Sequence, residues 1–207
     1  MAKFCSDLYN GKTKNHLQKR FQTTMKNIKN QYFKAALDAV GKTGLNGLVM
    51  GELAKASGMS VGSWYHHFES REVLVAETYN YVVGKASSAM ISAMDESAGA
   101  GSNIRKMATG LAKHWFNNPQ EARMFIESEA GHIISKKARF YAWNHFEPIL
   151  AKLKLYRDSG DIRNLAEKDL LAYMLSAVFS GVVFSSRTKP AEMGAMVWHG
   201  LKMRKEK

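Results

Sequence analysis

The sequence predicts an all-α fold. Apolar residues recur at three- and four-residue spacing through long stretches of the 207-residue chain, which is the period of an amphipathic helix. Glycine, asparagine and proline stand between these stretches, where helices begin and end. The hydrophobic share of 45% is typical of a globular protein, and the length is ample for a buried core.

The first helix is predicted over residues 24–42. Its apolar residues recur at the spacing that one face of a helix requires. They are Ile28, Tyr32, Ala35, Ala36, Ala39 and Val40. Gly41 and Gly44 follow the last of them, and glycine is the residue that most often ends a helix.

Positive charge is concentrated near the N-terminus. Residues 1–34 contain eight Lys and Arg and one acidic residue, Asp7, while the whole chain has a net charge of +12. This balance favours an acidic partner, either nucleic acid or an anionic membrane surface. We predict a basic N-terminal arm over residues 1–23, which could lie along phosphates, enter a minor groove or be a solvated tail.

Two short helices are predicted next, with a glycine between them. Residues 50–57 form the first, and Gly58 ends it in the left-handed conformation. Ser60 can cap a second helix over residues 61–67 by accepting a hydrogen bond from a backbone N–H two or three residues on. Helix, glycine-containing turn and short second helix form the pattern of a helix-turn-helix.

Four short segments, at fixed distances from one another, extend this pattern into the neighbouring helices. They are Ala35-Ala36 with Gly44, the run from Leu53 to Ser60, the Gly-Ser-Trp-Tyr-His-His-Phe run from Gly62 to Phe68, and Ser70-Arg71-Glu72 with Leu74. Together they resemble the DNA-binding domain of the tetracycline-repressor family of bacterial transcription regulators. The resemblance implies an N-terminal three-helix helix-turn-helix domain, residues 24–71. A long helix would join it to a C-terminal helical ligand-binding and dimerisation domain, residues 72–207.

The resemblance also implies which residues contact DNA. The N-terminal part of the second helix enters the major groove, and the residues expected at base edges are Val61, Gly62, Ser63 and His66. The residues expected to hold phosphates are Ser63, Tyr65, His67 and Arg71. Val61 is often Lys or Arg in relatives, and here it could meet a thymine methyl. Trp64 and Phe68 lie four residues apart and are predicted to be core.

One segment departs from the family pattern. Relatives have Thr or Ser near positions 48–50, and this residue caps the helix that corresponds to residues 50–57 and touches a phosphate. This chain has Leu48-Val49-Met50-Gly51 instead. One expected phosphate contact is therefore missing, and the basic arm could compensate for it.

A long helix is predicted after Ser70, its cap, and continues to about Met94. Small residues and glycines then predict a linker over residues 95–102. Asn103 is the predicted cap of the next helix. Pro119 is the predicted first residue of the helix after it.

A third long helical pattern covers residues 135–157. Its apolar spacing continues past Pro148, which predicts a kink at that residue. A turn over residues 159–163 follows and resembles the family's Gly-acidic-apolar-Arg signature.

The last two helices are predicted to form a dimer interface. Residues 170–184 are apolar on most of the helix circumference, so this helix has to be buried on all sides. One subunit of this size can hardly surround a terminal helix. We therefore predict a homodimer through the helices near 165–186 and 190–205, closed by two-fold symmetry.

Bulky, adaptable side chains lie between the linker and the last helices. An apolar cavity with a few polar groups is the usual form of a small-molecule site, and the resemblance implies such an effector pocket here. The residues predicted to line it are Met107, Trp115, Met124, Phe125, Tyr141, His145 and Phe179. Plain helix packing is the alternative for any one of these aromatic residues.

Several other classes of protein are not indicated. The sequence has no nucleophile elbow, phosphate-binding glycine loop or HExxH motif, and we predict no catalytic site, cofactor or metal. His66 and His67 do not suggest a metal site, because adjacent helical residues point about 100° apart. The single cysteine, Cys5, cannot form an internal disulfide, and neither a signal peptide nor a membrane span is indicated. We expect a cytoplasmic protein without a membrane partner.

Two functions fit these patterns. The first is a dimeric transcription regulator, expected to be a repressor. It would bind double-stranded DNA at a palindromic operator and be released by a small apolar or amphipathic effector. The second is an architectural DNA-binding or protein-partner-controlled protein on the same fold, without a small-molecule inducer.

Overall fold

The computed structural model describes residues 29–131, 133–184 and 188–203. It confirms the all-α fold, and α1 occupies residues 29–43. The further helices are α2 (Met50–Ser57), α3 (Val61–His67), α4 (Arg71–Ile91), α5 (Ala100–Asn117), α6 (Pro119–Ala130), α7 (Lys136–Trp143), α8 (Glu147–Asp158), α9 (Glu167–Phe184) and α10 (Pro190–Leu201). The predicted basic arm, residues 1–23, and the start of the predicted first helix lie outside the described residues.

Helices α1 to α3 pack around an aromatic cluster. Trp64 and Phe68 are fully buried, as the sequence predicts. Tyr32 of α1 packs edge-on against Trp64 with ring centroids 4.7 Å apart, and its ring lies 5.7 Å from that of Phe68. Short helices have little stability of their own, so the burial of these large rings holds the three helices together.

Helix α4 connects this unit to the rest of the molecule. Ser70 caps it by accepting a hydrogen bond from the Val73 N–H at 3.3 Å, which confirms the predicted start. The helix has 21 residues and is about 31 Å long. Its far end packs closely on α5, because a Cβ added at Gly110 would meet the Ala89 carbonyl oxygen at 2.5 Å.

The predicted linker is a tight turn between two packed helices. Helix α5 begins at Ala100 with Gly99 at its N-cap, so the prediction that Asn103 caps it is wrong. Asn103 is buried inside the first turn of α5. Its Oδ1 accepts from the Asp95 N–H at 2.8 Å, and its Nδ2 donates to the Asp95 carbonyl and the Tyr156 hydroxyl, each at 2.9 Å. The side chain therefore ties the turn to α8.

The predicted kinked helix over residues 135–157 is two helices. Helix α7 ends at Trp143, and a 3-10 turn over Asn144–Phe146 leads into α8. Pro148 lies in the first turn of α8, not at a kink within one helix. Proline has no N–H to bond the carbonyl four residues earlier, and the Asn144 carbonyl accepts from the Glu147 N–H instead.

Helices α9 and α10 form one side of the molecule and leave apolar side chains exposed. Helix α10 packs on α5, where a Cβ at Gly194 would meet the Arg105 carbonyl oxygen at 2.6 Å. Phe184 is 82% exposed and Met196 is 65% exposed. None of the described helices has the length and hydropathy that a bilayer crossing requires.

Candidate nucleic-acid interface and adjoining groove

The turn between α2 and α3 fixes the direction of α3. Gly58 ends α2 with a φ of 68°, the left-handed conformation that glycine adopts without steric cost. Ser60 then caps α3 by accepting from the Ser63 N–H at 3.1 Å. The Trp64 indole donates to the Ser57 hydroxyl at 3.3 Å and joins the two helices across the turn. The end of α2 at Gly58 and the Ser60 cap confirm the sequence-based prediction, whereas the Trp64–Ser57 bond was not predicted.

One face of α3 is open to solvent. Val61 is 44% exposed and Tyr65 is 52% exposed, and Gly62 and His66 are exposed beside them. Residues spaced by one, four and five positions lie on one side of a helix. Four of the seven predicted DNA contacts therefore share one surface.

Ser63 and His67 face α1. The Ser63 hydroxyl forms a hydrogen bond with the Tyr32 hydroxyl, and the His67 ring lies 4.7 Å from the Tyr32 ring. Desolvation, then the neighbouring His66 and Lys29, lowers the pKa of His67, so its neutral form is favoured at neutral pH. Both side chains already help to hold α3 on α1, and their predicted contacts with DNA stay predictions.

Arg71 binds the protein's own backbone. Its Nε donates to the Leu48 carbonyl and its Nη2 to the Leu45 carbonyl, both at 2.8 Å. The guanidinium thus holds the loop between α1 and α2, which the sequence does not suggest. A phosphate contact by Arg71 stays a prediction, and it would have to coexist with these two bonds.

The N-terminus of α2 has no side-chain cap. Val49 occupies the N-cap position without a side-chain hydrogen bond, in agreement with the departure from the family pattern at residues 48–51. Val49 is exposed and Met50 is buried. A hydroxyl that would accept from the helix and reach a phosphate is therefore missing at this end of α2.

Helix α6 holds the same loop from the other side. The Glu127 carboxylate accepts from the Leu45 N–H at 2.7 Å and from Arg123 Nε at 2.5 Å. Although partial burial acts in the opposite direction, the Leu45 hydrogen bond and the Arg123 guanidinium lower the pKa of Glu127. Arg123 Nη1 also donates to the Gly41 carbonyl at 3.1 Å. Sequence spacing does not reveal the contacts with Leu45 and Gly41, because they join residues about eighty positions apart.

The residues predicted to line an effector pocket lie in two parts of the molecule, and their role in binding stays a prediction. Met107, Trp115, Met124 and Phe125 are buried in the packed core of the helical bundle. The Trp115 ring lies 5.5 Å from that of Phe125 and 6.3 Å from that of Phe179. Tyr141 and His145 lie on a large cavity, which is described next.

A groove of about 980 Å³ lies where α1, α4 and α7 meet. From α1 and α4 it is lined by Lys29, Asn30, Phe33, Ala76, Glu77, Asn80, Tyr81, Gly84, Lys85 and Ser88. Its other wall consists of Ser135, Lys137, Ala138, Tyr141 and His145. The groove therefore adjoins both the helix-turn-helix unit and the C-terminal bundle.

A polar cluster lies in the bundle beside this groove. The Tyr79 hydroxyl donates to the Glu129 carboxylate, and the Trp143 indole donates to Tyr79 at 3.0 Å and to Glu129 at 3.2 Å. Arg139 Nε lies 3.5 Å from the second Glu129 oxygen. Burial, then the bond to Glu129, strongly raises the pKa of Tyr79, so this hydroxyl stays protonated as a donor. The described residues contain no cluster of three or more potential metal ligands.

An all-helical chain that presents the outer face of a capped helix-turn-helix has the architecture of a DNA-binding regulator. Residues 33–78 match the sequence model of a family described as bacterial regulatory proteins, tetR family. This match over the helix-turn-helix unit supports a regulator of the tetR family. Members of the family bind DNA and usually dimerise.

Solved structures agree with this fold along most of the chain. A TetR-family transcription regulator from Marinobacter aquaeolei VT8 superposes with a TM-score of 0.78 at 17% identity, covering 88% of this chain and 100% of its own. A TetR-family regulator from Haemophilus influenzae Rd has a TM-score of 0.71 at 18% identity, covering 87% and 99%. A tetR-family regulatory protein from Rhodococcus RHA1 has a TM-score of 0.69 at 15% identity, covering 85% and 97%. No curated protein sequence matches this chain significantly.

Proposed function

We propose that this protein is a dimeric, cytoplasmic repressor that binds a palindromic operator and is released by a small apolar or amphipathic effector. The observation that carries the proposal is the exposed face of α3, with Val61, Gly62, Tyr65 and His66 on one side of a helix fixed by Gly58 and Ser60. In the complex, the N-terminal part of α3 enters a major groove. Val61 and His66 meet base edges, and Tyr65 holds a phosphate.

The exposed apolar side chains of α9 and α10 support a homodimer. Tyr173, Val183, Phe184 and Met196 are large apolar residues that water contacts in the single chain. A second copy would cover them by two-fold symmetry, as in other obligate dimers. The two α3 helices then bind half-sites about 34 Å apart, or a multiple of that distance.

Helices α1 to α3 of each chain form its DNA-reading unit. Release by an effector requires that the effector bind one arrangement of the two DNA-reading units more tightly than another. Two connections between the DNA-reading unit and the helical bundle support such coupling. Glu127 and Arg123 tie α6 of the bundle to the loop after α1, and α4 runs from the reading unit into the bundle. A shift of either helix would change the position of α3.

The test is a selection of bound sequences from a random duplex pool at about 0.15 M salt, where long-range attraction between exposed charges is screened. The proposal expects a palindromic motif. His66→Ala should then change the preferred base at one position of each half-site, whereas Phe140→Ala, a change of an exposed aromatic residue on α7, should leave the motif unchanged. If His66→Ala selects the same motif as the native chain, the role of His66 in base recognition is wrong.

A second candidate is an architectural DNA-binding or partner-controlled protein without an inducer. The net charge of +12 favours it, because it points to charge-driven contact with the DNA backbone. The uncapped N-terminus of α2 also favours it, because one positioned phosphate contact is missing there. It expects measurable binding without an enriched motif and a steep loss of affinity with salt. The same selection therefore separates the two functions.

A further inference from the structure

The groove between α1, α4 and α7 has a floor made by one stripe of α4. Ala76, Asn80, Gly84 and Ser88 follow each other at four-residue spacing and line the groove. From the first to the last of these residues the helix rises about 18 Å. The floor is therefore long enough for an extended ligand, and its short side chains leave the volume of about 980 Å³ open.

The walls of the groove are aromatic. Phe33 of α1 lies next to Tyr81 of α4, with ring centroids 5.0 Å apart, and Tyr141 of α7 stands on the other side, 71% exposed. Phe33 is buried and Tyr81 half-buried, so Tyr141 is the exposed ring of the three. Aromatic side chains around a concave surface favour an apolar or aromatic ligand body.

The groove carries more positive than negative charge. Glu77 is paired with Lys29, Nζ to Oε2 at 2.6 Å. Lys85 and Lys137 line the groove with no ion pair to the described residues, and Lys85 Nζ lies over the Tyr81 ring at 5.5 Å. Two positive charges therefore remain beside the aromatic walls. They favour an anionic group on a ligand that enters the groove.

The floor also contains an unpaired acceptor. Asn80 Oδ1 is buried and has no hydrogen-bond partner among the described residues. A buried carbonyl oxygen without a donor costs free energy, and native proteins usually satisfy such a group with a ligand or water.

We propose that this groove binds a small amphipathic monoanion, an aromatic or medium-chain acid whose carboxylate lies beside Lys85 and Lys137. The apolar body of the acid packs between Phe33, Tyr81 and Tyr141. The chain's own N-terminal segment does not fit this role, because residues 1–28 carry six Lys and Arg against one Asp and would meet like charge.

Occupation of the groove would act on α1. Lys29 and Phe33 line the groove, while Tyr32 on the same helix contacts Ser63 and His67 of α3. A ligand that wedges α1 away from α7 would therefore move α3. This link to DNA rests on the proposed function, whereas binding in the groove does not, and the two are measured separately.

The probe for binding is 1-anilinonaphthalene-8-sulfonate, an aromatic monoanion whose fluorescence rises in an apolar site. The full-length protein is titrated without DNA, together with the variant Lys85→Gln/Lys137→Gln. We expect the double variant to bind the probe about fivefold more weakly, the effect of losing two partly exposed charges. The uncharged relative N-phenyl-1-naphthylamine should bind both proteins equally.

The matched control is Lys113→Gln/Lys152→Gln, which removes two positive charges outside the groove. It should leave the affinity for the sulfonate within twofold of the native value. An equal loss in both double variants, or no loss in either, overturns the proposal, because attraction by the overall charge or binding elsewhere would then explain the signal.

A second variant tests whether the probes bind in the groove, because it fills part of the groove's volume. A Cβ added at Gly84 would meet the His145 ring at 3.4 Å, an ordinary contact, so Gly84→Leu should fill the floor of the groove and keep the helix intact. We expect weaker binding of both probes, by tenfold or more, with a thermal unfolding midpoint at or above the native value as evidence of folding. If both probes bind Gly84→Leu like the native protein, the groove is not their site.

Discussion

Glu127 is the residue through which the helical bundle holds the backbone of the reading unit. Its carboxylate accepts from the Leu45 N–H and from Arg123, and these contacts lower its pKa. A group whose pKa is lowered by folding stabilises the fold above its unfolded pKa, near 4.5, and this contribution is lost as the pH falls through the lowered folded value. We predict that Glu127→Gln loses less stability than the native protein between pH 6 and pH 3.

The measurement for Glu127 is the free energy of unfolding in urea at several pH values. The difference between the two proteins should stay below about 1 kcal/mol, because the side chain is partly exposed and solvent weakens the pair. Glu96→Gln, a change of an exposed residue in the turn before α5, is the control and should follow the native curve. Parallel curves for Glu127→Gln and the native protein would contradict the prediction.

Trp64 and Tyr65 are neighbours with opposite roles. Trp64 is fully buried and packs on Tyr32, so Trp64→Ala should lower the free energy of unfolding by about 3–5 kcal/mol. Tyr65 is exposed, and Tyr65→Ala should change stability by no more than about 0.5 kcal/mol. Chemical denaturation measures both.

Affinity for DNA separates the two roles further. Tyr65→Ala should bind every duplex more weakly, because the predicted contact is to a phosphate and not to a base. A folded Tyr65→Ala protein with native affinity would remove Tyr65 from the interface.

At the scale of elements, the helix-turn-helix depends on two glycines in different ways. Gly58 has a φ of 68°, so a side chain at this position is strained even though a Cβ would meet open space. Gly62 lies inside α3 without a positive φ, and a Cβ there would meet only Ser60 Oγ at 4.0 Å. We predict that Gly58→Ala costs about 1–2 kcal/mol and that Gly62→Ala stabilises by about 0.5–1 kcal/mol.

The two substitutions add the same methyl group, so each serves as the control for the other. Thermal or urea unfolding should shift in opposite directions for the two proteins. Shifts of the same sign would mean that the backbone at Gly58 relaxes out of the left-handed conformation.

Elements with local signals were predicted well from the sequence. Gly58 sets the end of α2, and Ser60 and Ser70 set the starts of α3 and α4; each acts on backbone groups within three or four residues. Asn103 was assigned wrongly because a cap and a buried turn residue have the same local appearance. Its bonds to the Asp95 backbone and to Tyr156 of α8 distinguish them.

Parts of the candidate sites that depend on several distant helices were not predicted. The exposed face of α3 follows from helical spacing, and the sequence places Val61 and His66 on it. The groove requires α1, α4 and α7 to meet, and of its lining only Tyr141 and His145 were named. Trp115 and Phe125 were named for the same pocket but pack against each other. Sequence does not separate the two cases, because aromatic residues fill cores and line cavities alike.

For the molecule as a whole, the proposed dimer would bury the exposed apolar side chains of α9 and α10, and tight binding to the proposed operator would require both chains. We predict that Val183→Glu/Met196→Glu is monomeric in analytical ultracentrifugation, because a charge at each position would have to be buried in the interface. Phe140→Glu is the control, since Phe140 is an exposed aromatic residue on α7, and it should sediment like the native protein.

Loss of the dimer should also weaken DNA binding in a specific way. A monomer engages one half-site, so its affinity for a full palindrome should fall about 100-fold or more, whereas its affinity for a single half-site should stay near that of one native reading unit. A double variant that remains dimeric places the interface on another face of the molecule. One that is monomeric yet binds the palindrome with native affinity shows that the two half-sites are not read together.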